Sequence, residues 1–391
     1  MNGRERLLKA LKAERPDRVP VTLFIVDQGH FLEQMYPNIE PHDYEALQLK
    51  VIELQKQFGC DVLVRQLFGL TEPLHIHMGG LDVEHQSENW EVHTEQIRSA
   101  RTTTYRSTIR TPGGTLTQDY SINQVRRGTF LHAVTKKPIG SPAELEIAAR
   151  YEPRMPPEWN AHAKNWVGKL RRAVGNDGIV AAWAPHGPFN NASLLIDHER
   201  LYSLFIHEPV FYDRLMRFAM ERILDYTRAI DEAGVDLLCV GGNVPGGFLG
   251  KACYDQYILP YERRYIDFVQ QNGTPAMYHN CGLVMNLVES YKELGAKVVE
   301  PFSPPPLGDA ADLRRVMEIV NGDYAVLSGV DQVNVLKEGS VDEVREVTRV
   351  RMEHGKGHRG FIFQPVDFLE YGTPVENVEA FVQTAIEHAG D

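Results

Sequence analysis

The chain is 391 residues long, and its 53 acidic against 41 basic side chains give a formal net charge of −12. That balance argues against broad nucleic-acid binding and against docking on an anionic membrane. No apolar run is long enough to cross a bilayer as a helix. The four cysteines, Cys60, Cys239, Cys253 and Cys281, form no CxxC pair and are too sparse for a disulfide framework. The opening Met1-Asn2-Gly3-Arg4-Glu5-Arg6 runs into an amphipathic pattern without a signal-peptide core. A reducing cytoplasm is the expected compartment.

In chain order, short β-branched runs fall at residues 18–24, 60–65, 178–183, 235–241, 274–279, 296–300, 325–329 and 360–364. Most are entered from a helical pattern that ends in Gly or Asn, as at Gly59-Cys60, Gly234-Val235, Gly295-Ala296 and Asn272-Gly273. Strands alternating with helices predict a parallel sheet, and eight repeats predict a closed (β/α)8 TIM barrel of class α/β. The alternative, an open doubly wound sheet, wants a glycine-rich phosphate turn after an early strand. The first strand here is followed by Val26-Asp27-Gln28-Gly29-His30 instead. One stretch breaks the rhythm. Residues 90–121 alternate polar and β-branched side chains around Thr111-Pro112-Gly113-Gly114, which predicts a β-hairpin, with helical patterns following from 136 to 173. The expectation is a single barrel domain over 1–391, with a hairpin and helical insertion at about 84–175 between the second and third strands.

The sharpest chemical feature is Tyr278-His279-Asn280-Cys281-Gly282, directly after the fifth apolar run. Residues i and i+2 of a strand share a face, so His279 and Cys281 point into one space. Imidazole and thiolate suit zinc, and Glu300, closing the next run, supplies a third ligand. The structural alternative is a small buried cysteine beside a loop-bonded histidine. Other candidates also follow strands. Asp27 and His30 come after the first, and either orients substrate or moves a proton. Trp183 and His186 come after the third, suited to lining a pocket. Asn243 sits in the glycine-rich Gly241-Gly242-Asn243-Val244-Pro245-Gly246-Gly247, and Asp331 and Gln364 close the ring after the last two strands.

These elements together resemble the uroporphyrinogen decarboxylase superfamily. The resemblance is carried by Arg15-Pro16-Asp17-Arg18-Val19-Pro20-Val21, Thr111-Pro112-Gly113-Gly114, Tyr257-Ile258-Leu259-Pro260-Tyr261, Gly329-Val330-Asp331 and Gly372-Thr373-Pro374-Val375-Glu376-Asn377-Val378. It spans nearly the whole chain and implies a barrel with its site at the C-terminal mouth. The superfamily holds two chemistries, so the fold leaves function open. Its decarboxylases act without cofactor on a tetrapyrrole bearing eight carboxylates, with arginines from the loop after the first strand. This chain has no Lys or Arg between Arg18 and Lys50.

The other branch consists of methyltransferases of corrinoid-dependent pathways, which carry zinc on His-x-Cys plus a later Cys, some with an intervening Glu. His279, Cys281 and Glu300 match; Val366 stands where the later cysteine belongs, leaving Gln364, Asp367 or a water for that position. The resemblance therefore implies methyl transfer between a small methylated substrate or thiol acceptor and a methylcorrinoid. The corrinoid would sit on a separate protein, because the chain lacks Asp-x-His-x-x-Gly. A homodimer would suit the superfamily. The competing expectations are a uroporphyrinogen-type decarboxylase and a non-catalytic ligand-binding barrel.

Overall fold

The computed structural model describes residues 1–26, 30–40, 43–65, 80–126, 129–244 and 246–390. Asp27 lies outside the described residues, and so does Pro245 of the glycine-rich loop. The first element is the helix Gly3–Leu11. Asn2 caps it by accepting from the Glu5 backbone N–H, while the Glu5 carboxylate accepts from the Asn2 N–H. Its inner face, Leu7, Ala10 and Leu11, packs on Leu63, Ile179, Leu237, Met277 and Ala325. Arg6 binds Asp61 at 2.5 Å and Arg4 binds Asp236 at 2.6 Å, residues that precede two of the strands. The helix thus closes the N-terminal end of the sheet and leaves the C-terminal end to the loops.

Among the described residues, seven parallel strands form one curled sheet: β1 (Val62–Val64), β6 (Gly178–Trp183), β7 (Leu237–Gly241), β8 (Ala276–His279), β9 (Val298–Glu300), β10 (Ala325–Val330) and β11 (Phe361–Pro365). Every one is buried along its whole length. Helices pack the outer face through Val64, Val180, Val240, Tyr278 and Val299, while Ile179, Cys239, Met277, Val298 and Ile362 fill the inner one. Burial on both faces explains why these strands read as continuous apolar runs rather than alternating ones.

The strand expected at 18–24 is reduced to one parallel bridge, Val21 with Phe363. Thr22 N–H donates to Phe363 O and Phe363 N–H to Pro20 O, both at 2.9 Å; on the other side Asp61 N–H donates to Val21 O at 2.8 Å. No ladder extends from there for a chemical reason. Pro20 has no N–H to give, and the Val21 N–H is taken by the Asp61 carboxylate at 3.0 Å.

The insertion is larger than a hairpin. β2 (Glu91–Arg98), β3 (Thr102–Thr111), β4 (Gly114–Arg126) and β5 (Thr129–Lys136) make a separate four-stranded antiparallel sheet in that order. The β3–β4 turn does fall at Thr111-Pro112-Gly113-Gly114, where Thr111 Oγ1 donates to Gly114 O at 2.9 Å. The fourth strand escapes a periodicity reading because it buries little beyond Val134, leaving Phe130 and Leu131 exposed. No helix among the described residues is long and apolar enough to cross a membrane.

Candidate functional site

Strand alternation builds the site. Along the inner face, an apolar residue is followed two positions later by a polar one: Leu63 then Arg65, Met277 then His279, Val298 then Glu300, Ile362 then Gln364. Because the strands are parallel and in register (His279 opposite Glu300, Gly329 opposite Gln364), these polar groups lie in one tier above the apolar core.

Glu300 is the centre of that tier. Arg65 Nη1 lies 2.5 Å from both carboxylate oxygens. His279 Nδ1 meets Oε1 at 2.9 Å, and Gln364 Nε2 donates to Oε2 at 2.9 Å. Thr22 Oγ1 in turn donates to Gln364 Oε1 at 3.1 Å. The Arg65 guanidinium also stacks on Phe24, 3.3 Å from the ring centroid. Arg65 is 2% and Glu300 1% exposed at the side chain, so the pair is desolvated and depends on these partners.

Protonation follows from the contacts. Burial alone would raise the Glu300 carboxyl, but the Arg65 charge and the His279 hydrogen bond hold it well below its ordinary value. Burial likewise disfavours a charged His279. Its neighbours Cys281 and Glu300 outweigh that penalty and push the imidazole up to about 10. Nδ1 is committed to Glu300, and the ring is also hydrogen-bonded to the Cys281 side chain. Asp367 is raised by burial, against the opposing pull of the His279 charge.

Trp183 belongs to this site: its ring meets His279 edge-on at 5.6 Å. His186 meets Trp183 at 6.3 Å and packs so tightly on Gly241 that a Cβ there would lie 2.0 Å from its Nδ1. His30 opens the helix His30–Met35, with its ring centroid 4.4 Å from that of Phe368. Cys281 lies just past β8 and is exposed, where Gly282 turns the chain with φ 91°. Asn243 is exposed too, on a loop fastened to β8 by Val244 N–H donating to Asn280 Oδ1 at 2.7 Å. The Asp331 carboxylate accepts from the Val333 and Asn334 N–H groups and from Asn334 Nδ2, and so fastens its own turn.

Of the residues expected to hold zinc, His279 meets both others, Glu300 at 2.9 Å and Cys281 through a side-chain hydrogen bond. Among the described residues, no three His, Cys, Asp or Glu side chains are placed to hold a metal ion. Both Glu300 oxygens are already engaged by donors, and Val366, where another thiolate would be needed, is a buried aliphatic. In the sequence Arg65 is a candidate only as a compensating cation for substrate carboxylates, although the i+2 rule that picks out His279 also picks out Arg65 after Leu63.

Outside the inner tier, Glu262 on the helix Leu259–Val269 accepts from Phe189 N–H at 2.9 Å at the start of the helix Pro188–Leu195. It is fully buried, which pushes its carboxyl up to about 8. Gly187 makes room for it, since a Cβ there would lie 2.1 Å from Glu262 Oε2.

Comparison with known proteins agrees with this architecture. A methyltransferase from Methanosarcina mazei superposes with a TM-score of 0.70 over 99% of both chains at 18% identity, a likeness of fold. A uroporphyrinogen decarboxylase of Thermus thermophilus is 32% identical over 208 residues, 52% of this chain and 58% of that one. The methylcobamide:CoM methyltransferase MtbA of Methanosarcina acetivorans is 22% identical over 201 residues, 51% of this chain and 56% of that one. The chain thus spans little more than half the length of these two relatives. The family model for uroporphyrinogen decarboxylase (URO-D) matches residues 129–388, well over half of the chain, and the chain belongs to that family.

Proposed function

We propose that the polar tier is the active site of a group-transfer enzyme, which moves a methyl group between a small methylated substrate or thiol and a corrinoid carried by a separate protein. In this reading residues 20–22 complete an eight-membered ring between β11 and β1, and the tier lies at the mouth of the resulting barrel. The carrying observation is His279: a cationic imidazole held by Glu300 at Nδ1 and hydrogen-bonded to the exposed Cys281. A fixed cation at this point favours an anionic acceptor such as a thiolate and holds its charge until transfer. A methylcorrinoid, when bound, supplies the electrophilic methyl group. The chain's own part is to bind the acceptor at His279, present Cys281 at the rim, and keep water out with Trp183. The likeness to MtbA supports this reading.

The test is methyl transfer between methylcobalamin and small thiols, with methoxylated substrates assayed in the reverse direction. His279→Gln should lower the rate by roughly 10²–10³-fold, the scale seen when one charge-stabilising donor is removed. Undiminished transfer in that variant would sink the reading.

A second reading, decarboxylation, is favoured by Asp367, a carboxyl raised toward its protonated form near His279 and suited to delivering a proton to carbon. Arg65 Nη2, buried and without a hydrogen-bond partner among the described residues, could donate to a substrate carboxylate. The substrate would be a small acid. A tetrapyrrole with eight carboxylates needs many cations, and the segment between Arg18 and Lys50 offers none. Release of CO₂ from such acids, with no methyl transfer detected, would select this reading.

A further inference from the structure

We propose that Arg65 stands where a metal ion would, as a built-in cation that keeps Glu300 out of any coordination sphere, so that the polar tier works without a three-ligand metal centre. The geometry is that of a cation straddling a carboxylate, with one guanidinium nitrogen 2.5 Å from each Glu300 oxygen. The remaining capacity of those oxygens is used by His279 Nδ1 on one and Gln364 Nε2 on the other. A zinc ion binding Glu300 would have to displace one of these donors and then sit beside a guanidinium in a site with almost no water. Like charges at that separation repel strongly when desolvated. The guanidinium cannot easily swing aside, because Phe24 covers its face at 3.3 Å.

The rest of the donor set agrees. Position 366 holds buried Val. Cys239 lies inside the sheet and Asp367 near His279, yet neither completes a group of three among the described residues. What remains is His279 with Cys281, too few ligands for a closed site. Glu300 then acts as a positioning residue, fixing the imidazole through Nδ1 much as an outer-sphere carboxylate does in a metal site. This inference does not depend on the methyl-transfer reading and holds equally for decarboxylation.

The experiment is metal analysis of untagged full-length protein, followed by zinc titration against a chromophoric chelator. Four forms are compared: wild type, Arg65→Met, Arg65→Lys and Glu300→Gln, each checked by circular dichroism. Wild type should retain far less than one equivalent of zinc. Glu300→Gln should leave its weak zinc affinity unchanged. Arg65→Lys, which keeps the cation, should still exclude the metal. Arg65→Met frees Glu300 and should tighten zinc by roughly 10–100-fold, the usual reach of a change next to a metal ligand. Stoichiometric zinc in wild type that Glu300→Gln releases would overturn the proposal. So would a folded Arg65→Met variant with no gain in affinity. If Arg65→Met fails to fold, wild type against Glu300→Gln still decides.

Discussion

His279 and Glu300 face each other across β8 and β9, register partners whose side chains meet at 2.9 Å between Nδ1 and Oε1. That pairing makes one residue a cation and the other an anion inside a buried tier, and it fixes the orientation of the imidazole. Its consequences can be measured.

The first is a pH dependence of stability. His279 is pushed up to about 10 in the folded chain from an ordinary 6.5. A group with a raised folded value binds its proton more tightly when folded. Its contribution is therefore complete below about pH 6.5 and lost as pH rises through about 10, on the order of a few kcal/mol in all. Thermal melts across this window should show a decline that His279→Gln largely removes. An unchanged decline in that variant would assign it to other groups.

The second concerns the buried ion pair. Arg65→Met leaves Glu300 buried without its main counter-ion, and should cost about 3–5 kcal/mol in urea unfolding. The double variant Arg65→Met/Glu300→Gln removes both charges and should recover much of that loss. A double variant as unstable as the sum of the two single ones would show that the residues are not coupled.

Glu262 offers an opposite case. Burial raises its carboxyl to about 8 from an ordinary 4.5, so it is neutral where an unfolded glutamate is ionised. Wild type should lose stability as pH climbs from about 4.5 through 8, on the order of a few kcal/mol, while Glu262→Gln escapes that loss. The variant should therefore gain on wild type between pH 5 and pH 9. Parallel melting curves across that range would contradict the burial argument.

Asp331 separates a structural role from a ligand contact. Because it accepts from two backbone N–H groups and one side-chain amide of its own turn, Asp331→Ala should cost about 1–2 kcal/mol in stability. Substrate affinity should change little. A large rise in KM with normal stability would restore it to the site.

Much of this architecture was legible in local pattern. The positions of β6 to β11 follow from apolar runs bounded by glycine or asparagine, and the alternation that pairs Met277 with His279 marks the mouth-facing residues without any coordinates. Those signals are local, since each depends on side chains only two to four positions apart. The strand at 18–24 was overestimated because its decisive feature is a competitor far along the chain. The Asp61 carboxylate takes the Val21 N–H across a separation of 40 residues. β5 was missed because an exposed strand carries little hydrophobic period.

The site divides along the same line. His279, Cys281, Glu300 and Gln364 could be chosen as strand-end residues from the sequence, and Glu300 could be chosen as an acceptor for a cation. Which cation it meets could not. Arg65 lies 235 positions away in the chain, and only the curling of the sheet brings the end of β1 across from β9. Sequence alone determined the alternation and the donor types. Tertiary structure decided the partnerships, because a Coulomb interaction depends on distance in space, and the distance between two strand ends is set by how the sheet curls.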